Sequence, residues 1–197
     1  GECYLYGEGQ FEKMHYFWRP PGWVHKALSK QGFLGILSLT GQDDSEGSGP
    51  TSRQPRPEEE FGKNFTEPDM EMSIGPRGWV MVNTELIAWQ PGSVFARSEG
   101  PLDGFDVAHT SFKTLSKNIV TGAQSLLVRL DAGYKQAGSG SHSENHRIFV
   151  ISGSVSLGDI NIAKGGFIER EAGSVHPPMF THDGALLYVK IGERLDL

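Results

Sequence analysis

The fold is decided by Ser141-His142-Ser143-Glu144-Asn145-His146-Arg147-Ile148-Phe149-Val150-Ile151, a His/Glu cluster set directly ahead of an apolar run that ends near Gly153. The run is short, β-branched and aromatic, and glycine bounds it, so it reads as a buried strand rather than a helix. Along an extended chain side chains alternate between faces, which would put His142, Glu144 and His146 on one side. At a rise of about 3.3 Å per residue, His142 and Glu144 can chelate one ion, whereas His142 and His146 would stand about 13 Å apart unless the chain bends. Gly138, Gly140 and the serines beside them offer the place to bend. A further ligand has to come from elsewhere, and His176, held after Gly173-Ser174-Val175, is the candidate. Two histidines and a carboxylate, or three histidines, leave coordination positions open for water, substrate or dioxygen.

Outward from this stretch the same punctuation continues. The chain has 26 glycines and 11 prolines, and they fall between short apolar runs: Gly32 to Leu39, Trp79 to Trp89, Ser125 to Leu130, Arg147 to Ile151, Phe167 to Glu169 and Ala185 to Ile191. These predict strands. Helical periodicity is scarce, with Val24 to Lys30 the best candidate, so the fold is read as all-β. Residues 41–77 are rich in Gly, Ser, Pro, Asp and Glu and are expected to form a flexible linker or surface arm. Within them Asn64-Phe65-Thr66 is a sequon that matters only if the protein is secreted.

The chain carries a weak internal repeat. Arg19-Pro20-Pro21-Gly22-Trp23-Val24-His25 is echoed by Arg170-Glu171-Ala172-Gly173-Ser174-Val175-His176, and each copy runs on to a glycine and an expected strand. The second copy has a full upstream half and the first does not. The expected division is therefore 1–40 as the second half of an N-terminal repeat, 41–77 as linker and 78–197 as a complete C-terminal domain. An incomplete first unit exposes sheet edges, so a homodimer or association with a missing N-terminal fragment is expected.

Composition limits the function. With 197 residues, 37% of them hydrophobic, the chain can bury an ordinary core. Its apolar runs fall far short of the roughly 20 residues that a membrane helix needs. A formal charge of -6, with no stripe of Lys and Arg, argues against nucleic acid and anionic membranes as partners. The single cysteine, Cys3, forms no internal disulfide and no thiolate metal cluster, which argues for a reducing compartment and leaves any metal to His and carboxylate. There is no Gly-x-Ser-x-Gly elbow and no phosphate-binding glycine loop with lysine.

The residues from His142 to Gly192 resemble the core of the cupin superfamily, whose first motif runs Gly…His-x-His…Glu…Gly and whose second runs Gly…Pro-x-Gly…His…Asn. His142 matches the second histidine of the first motif and Gly153 its closing glycine, while Gly165, Gly173 and His176 match the second motif. Gly140 stands where the first histidine is expected, His146 where the glutamate is, Glu171 where the proline is and Phe180 where the asparagine is. The stretches Ala172 to Pro177 and Gly184 to Lys190 are most similar to the subgroup that includes ChrR-like anti-sigma cupin domains and acetylacetone-cleaving dioxygenases. Thr114 to Gly192 carries the resemblance, and in the first repeat Pro20, Gly22 and His25 match the second motif, so the whole resembles a two-cupin (bicupin) family. The resemblance implies a double-stranded β-helix, or jelly-roll barrel, preceded by half of a first repeat. It implies His142, His146 and His176 as ligands of a divalent transition metal (Fe, Mn, Ni or Zn).

The expected function is a metalloenzyme, dioxygenase-like or otherwise metal-assisted, acting on a small organic molecule, with Glu144 as acid/base or orienting group. The alternative is a non-catalytic module that senses a metal or a metabolite. Trp18 and Trp23, which flank the first Pro-Pro-Gly turn, together with His25 and His182, are expected pocket residues, although each also reads as ordinary packing or turn structure.

Overall fold

Wherever glycine, proline and polar pairs interrupt the apolar runs, short strands form. A computed structural model describes residues 1–5, 9–18, 27–37, 80–99, 104–117 and 122–192, and over these the protein is mostly β. It divides into two compact units, residues 1–86 with 195–197, and residues 87–194.

In the first unit β1 (Cys3–Leu5) lies between β2 (Gly9–Phe11) and β4 (Ala27–Leu28), and β3 (His15–Trp18) pairs with β5 (Val80–Asn83). Its described core is Cys3, Leu5 and Phe11, so the cysteine is a buried free thiol. The helix expected over Val24 to Lys30 is not formed where the chain is described, since Ala27 and Leu28 are strand. The strand expected over Gly32 to Leu39 is likewise absent from residues 32–37, where Leu34 is 96% exposed. An apolar run without a ladder partner has nothing to satisfy its backbone groups as a strand. Residues 41–77 and the sequon lie outside the described residues, and the strand expected over Trp79 to Trp89 is β5 followed by a 3-10 turn at Thr84–Leu86.

The second unit holds β6 (Gln90–Pro91), α1 (Gly92–Glu99), β7 (Thr110–Lys117), β8 (Gln124–Leu130), β9 (Gly140–Ser141), β10 (His146–Leu157), β11 (Ile160–Ala163), β12 (Phe167–Arg170), β13 (Val175–His176), β14 (Met179–Phe180) and β15 (Ala185–Ile191). The main sheet runs β11-β10-β15-β8-β7-β6, with β12 and β14 also on β10, and β13 pairs with β9. This is the jelly-roll arrangement that the short, glycine-bounded strands predict.

β10 makes the sheet curl. Ile148 and Val150 are buried, a register shift against β15 falls between Val150 and Ser152, and beyond it the buried residue is Val155. The bulge therefore switches the inward set from even to odd positions, because one extra residue exchanges the two faces of a strand. Gly153 completes the bend at φ 74°, and a Cβ there would run into the carbonyl oxygen of Gly184, so this position requires glycine. The core inside the curl joins Phe112, Leu126, Val128, Leu130, Val150 and Leu187, and Phe95 of α1 stacks on Phe112 with ring centroids 4.1 Å apart.

Candidate functional site

His142 and His146, four residues apart, meet His176, which is distant in sequence, at one end of this core. Residues 142–145 leave extended geometry, so the straight-strand spacing does not apply and the rings of His142 and His146 stack with centroids 4.0 Å apart. Backbone contacts hold the bend: Gly173 N–H donates to the His142 carbonyl at 2.7 Å, and Ala172 N–H to Asn145 Oδ1 at 2.8 Å. Pairing of β13 with β9 sets His176 opposite Gly140. The His176 ring then stacks on His142 at 5.0 Å, with their Nε2 atoms 3.0 Å apart. The expectation that His142, Glu144 and His146 share a strand face is thus corrected, since Glu144 sits exposed on the bend while His142 and His146 turn inward beside each other.

Gly140 explains the absence of a histidine there. A Cβ at this position would stand 2.8 Å from Gln136 Nε2 and 2.8 Å from His176 Nε2, so the space is already filled.

Hydrogen bonding fixes how His176 presents itself. Its Nδ1 lies 2.9 Å from the Pro177 carbonyl oxygen, which can only accept, so Nδ1 carries the proton and Nε2 offers its lone pair. Arg170 Nη1 donates to that Nε2 at 3.2 Å, and His142 Nε2 approaches it at 3.0 Å. Burial, aided by the charges of His142, Arg170 and His176, pushes His146 down to about 3. Burial also lowers His176, against the opposing Pro177 hydrogen bond. Both rings are therefore neutral nitrogen donors near neutral pH.

Beside them lies a cavity of about 330 Å³. Phe95, Phe105, Phe112 and Leu126 form its apolar side, and His142, Glu144, His146, Gln136 and Arg170 its polar side. His176 is buried behind His142 rather than on this wall. Among the described residues no group of three or more His, Cys, Asp or Glu side chains is arranged so that it could hold a metal ion as it stands.

Residues 101–194 match the family model described as ChrR Cupin-like domain. This part of the chain is similar to that family. A protein from Nostoc punctiforme, proposed to be a dioxygenase, matches over 100% of this chain and 60% of its own length at 17% identity and a TM-score of 0.62, which shows a shared fold. A proposed acetylacetone dioxygenase from Methylibium petroleiphilum matches over 56% of this chain and 74% of its own at 16% identity and TM-score 0.46. The Rhodobacter sphaeroides complex of SigE with the anti-sigma ChrR matches over 55% of this chain and 50% of its own at 13% identity and TM-score 0.39. No curated protein matches the chain.

Of the pocket residues expected from sequence, the second unit contains His182, whose side chain is 93% exposed and meets Asp183 Oδ1 at 3.0 Å in the turn before β15, away from the cavity. Trp23 and His25 lie outside the described residues, and Trp18 ends β3 in the first unit with its side chain undescribed. The sequence reading missed Arg170, Gln136 and the phenylalanine wall. Arg170 had a signal: it lies two residues from Ile168 on β12, so it shares that residue's inward face.

Proposed function

We propose that the second unit binds one divalent transition metal (Fe, Mn, Ni or Zn) through His142, His146 and His176 and carries out a dioxygenase-like or other metal-assisted reaction on a small organic molecule held in the cavity. The observation that carries this reading is the meeting of His142 and His176, whose Nε2 atoms are 3.0 Å apart. Two nitrogens each about 2.1 Å from one ion, at right angles around it, are about 3.0 Å apart, so this pair has the spacing of neighbouring ligands. Protonation fits as well, because His146 and His176 are neutral and His176 gives its other N–H to a carbonyl, as metal-bound histidines do. His142 and His176 therefore suit such an ion by type and spacing, and bringing His146 into one set with them takes a side-chain adjustment.

When bound, an ion of this kind supplies Lewis acidity and, for iron or manganese, one-electron chemistry. The protein's own residues do the rest. The Pro177 carbonyl holds the His176 ring in one orientation, and Phe95, Phe105 and Phe112 keep water from the ligand body. Glu144, on the exposed bend at the cavity wall, would exchange a proton with a ligand atom at the mouth. The dioxygenase proposed in Nostoc punctiforme makes that reaction class the first to assay.

Arg170 favours a second reading. Its Nη1 donates to the same His176 Nε2 that an ion would use, and a guanidinium that keeps this nitrogen makes the domain a non-catalytic binding module. Elemental analysis after anaerobic reconstitution with Fe(II), Mn(II), Ni(II) or Zn(II) separates the two readings. Retention of close to one ion per chain, lost in His176→Ala, supports the metal site. Trace metal in the wild type overturns it and leaves the binding module.

A further inference from the structure

Arg170 is 8% exposed, and of its three guanidinium nitrogens only Nη1 has a partner. Nε and Nη2, which lie on one edge of the planar fork, are buried without any hydrogen-bond acceptor, and no carboxylate pairs with Arg170 among the described residues. Two more buried donors near it are unmatched, the Gln136 amide nitrogen and the Tyr134 hydroxyl. Met179 N–H donates to Gln136 Oε1 at 3.1 Å, which fixes the amide with its NH2 on the His176 side. Buried polar groups are nearly always satisfied, and a buried charge nearly always has a counter-charge, so several unmatched donors around one cation mark a place for an absent acceptor.

We propose that the cavity binds an organic carboxylate, with its apolar body against Phe95, Phe105 and Phe112 and its head group on the Nε/Nη2 edge of Arg170, which has almost no accessible surface as the side chain lies and turns toward the cavity to receive it. A carboxylate matches two parallel N–H donors on one guanidinium edge. The apolar wall argues against a free inorganic anion, because it would strip water from such an ion and give back only one permanent cation. Gln136 supplies a further N–H to the same head group. The inference names the ligand class of the cavity and rests on reading that cavity as the functional site.

Calorimetric titration of the full chain with benzoate, benzamide and inorganic phosphate tests this, both in metal-loaded protein and after chelator treatment. Benzoate is expected to bind saturably in both states, with benzamide and phosphate at least about tenfold weaker. Arg170→Gln is expected to remove that preference, and Arg170→Lys, which keeps the charge and loses the fork, to fall between. If Arg170→Gln does not fold, the wild-type benzoate-to-benzamide ratio and Arg170→Lys decide. Equal binding of benzoate and benzamide, tighter binding of phosphate, no benzoate binding in either state, or full benzoate affinity in Arg170→Gln overturns the proposal. Metal content read on the same samples keeps the two readings apart. Benzoate binding in protein that takes up no metal retains the carboxylate site while the metal site fails, and metal uptake without benzoate preference does the reverse.

Discussion

The second unit uses histidine in two opposite settings. At the end of the core His142, His146 and His176 stack on one another beside the Arg170 cation. At the surface His109 and His182 each meet a neighbouring aspartate, with Nδ1 2.6 Å from Asp106 Oδ2 and 3.0 Å from Asp183 Oδ1 respectively. The settings drive proton affinity in opposite directions: burial pushes His146 down to about 3, whereas the Asp183 hydrogen bond raises His182. The interior rings become neutral donors with a lone pair to offer, and the exposed one becomes a proton-holding partner for a turn. Surroundings, more than residue type, separate a candidate ligand from an ordinary surface histidine.

This contrast is most exposed to test through pH. His146 has a folded value near 3 against an ordinary 6.5, so as pH falls below 6.5 the unfolded chain takes up this proton first and the folded state loses stability. The contribution is fully present above that pH and is lost toward 3, with a slope of up to about 1.4 kcal/mol per pH unit for this one group. Urea unfolding between pH 7 and 4 should show that slope, and His146→Asn should flatten it. His182 has the opposite sign, stabilising below its ordinary value, and its full exposure makes His182→Ala nearly silent. An unchanged slope in His146→Asn would place that ring in water. A smaller effect is expected at Gly140, where Gly140→Ala forces a methyl group against His176 and Gln136. Overpacking there should cost roughly 1–3 kcal/mol in chemical denaturation. An unmoved midpoint would mean that the two side chains do not crowd this position.

The strands read most easily from sequence are those whose β-branched and aliphatic runs have ladder partners on both sides. Ala185 to Ile191 coincides residue for residue with β15, and Ser125 to Leu130 lies within β8. Residues 32–37 have similar composition and form no strand, because composition does not say whether a neighbour exists. Helix α1 went unread for the converse reason: it starts at glycine, lacks an apolar stripe and owes its place to Phe95 stacking on Phe112. In the site, the sequence called for a bend near Gly138 and Gly140, but Gly140 and Ser141 are strand and the bend that brings His142 to His146 falls just after them, at Ser143 and Glu144. The inward turn of Arg170 was legible only in its alternation with Ile168, which becomes meaningful once the buried face of β12 is known. Gln136 and Tyr134 flank a single isolated bridge between Lys135 and Phe180, where no periodicity exists to read.

The measurement closest to the central claim is a long-range 1H–15N correlation spectrum of the histidine side chains at about pH 6, half a unit below the ordinary histidine value. The account predicts a neutral ring for His146, a His176 that carries a proton on Nδ1 and is bare on Nε2, and a His182 that holds more of its charge than either. Addition of Zn(II) should then shift the His176 Nε2 resonance and leave His182 unmoved. A His176 charged to a greater degree than His182, or a neutral His176 that carries its proton on Nε2, would contradict the account.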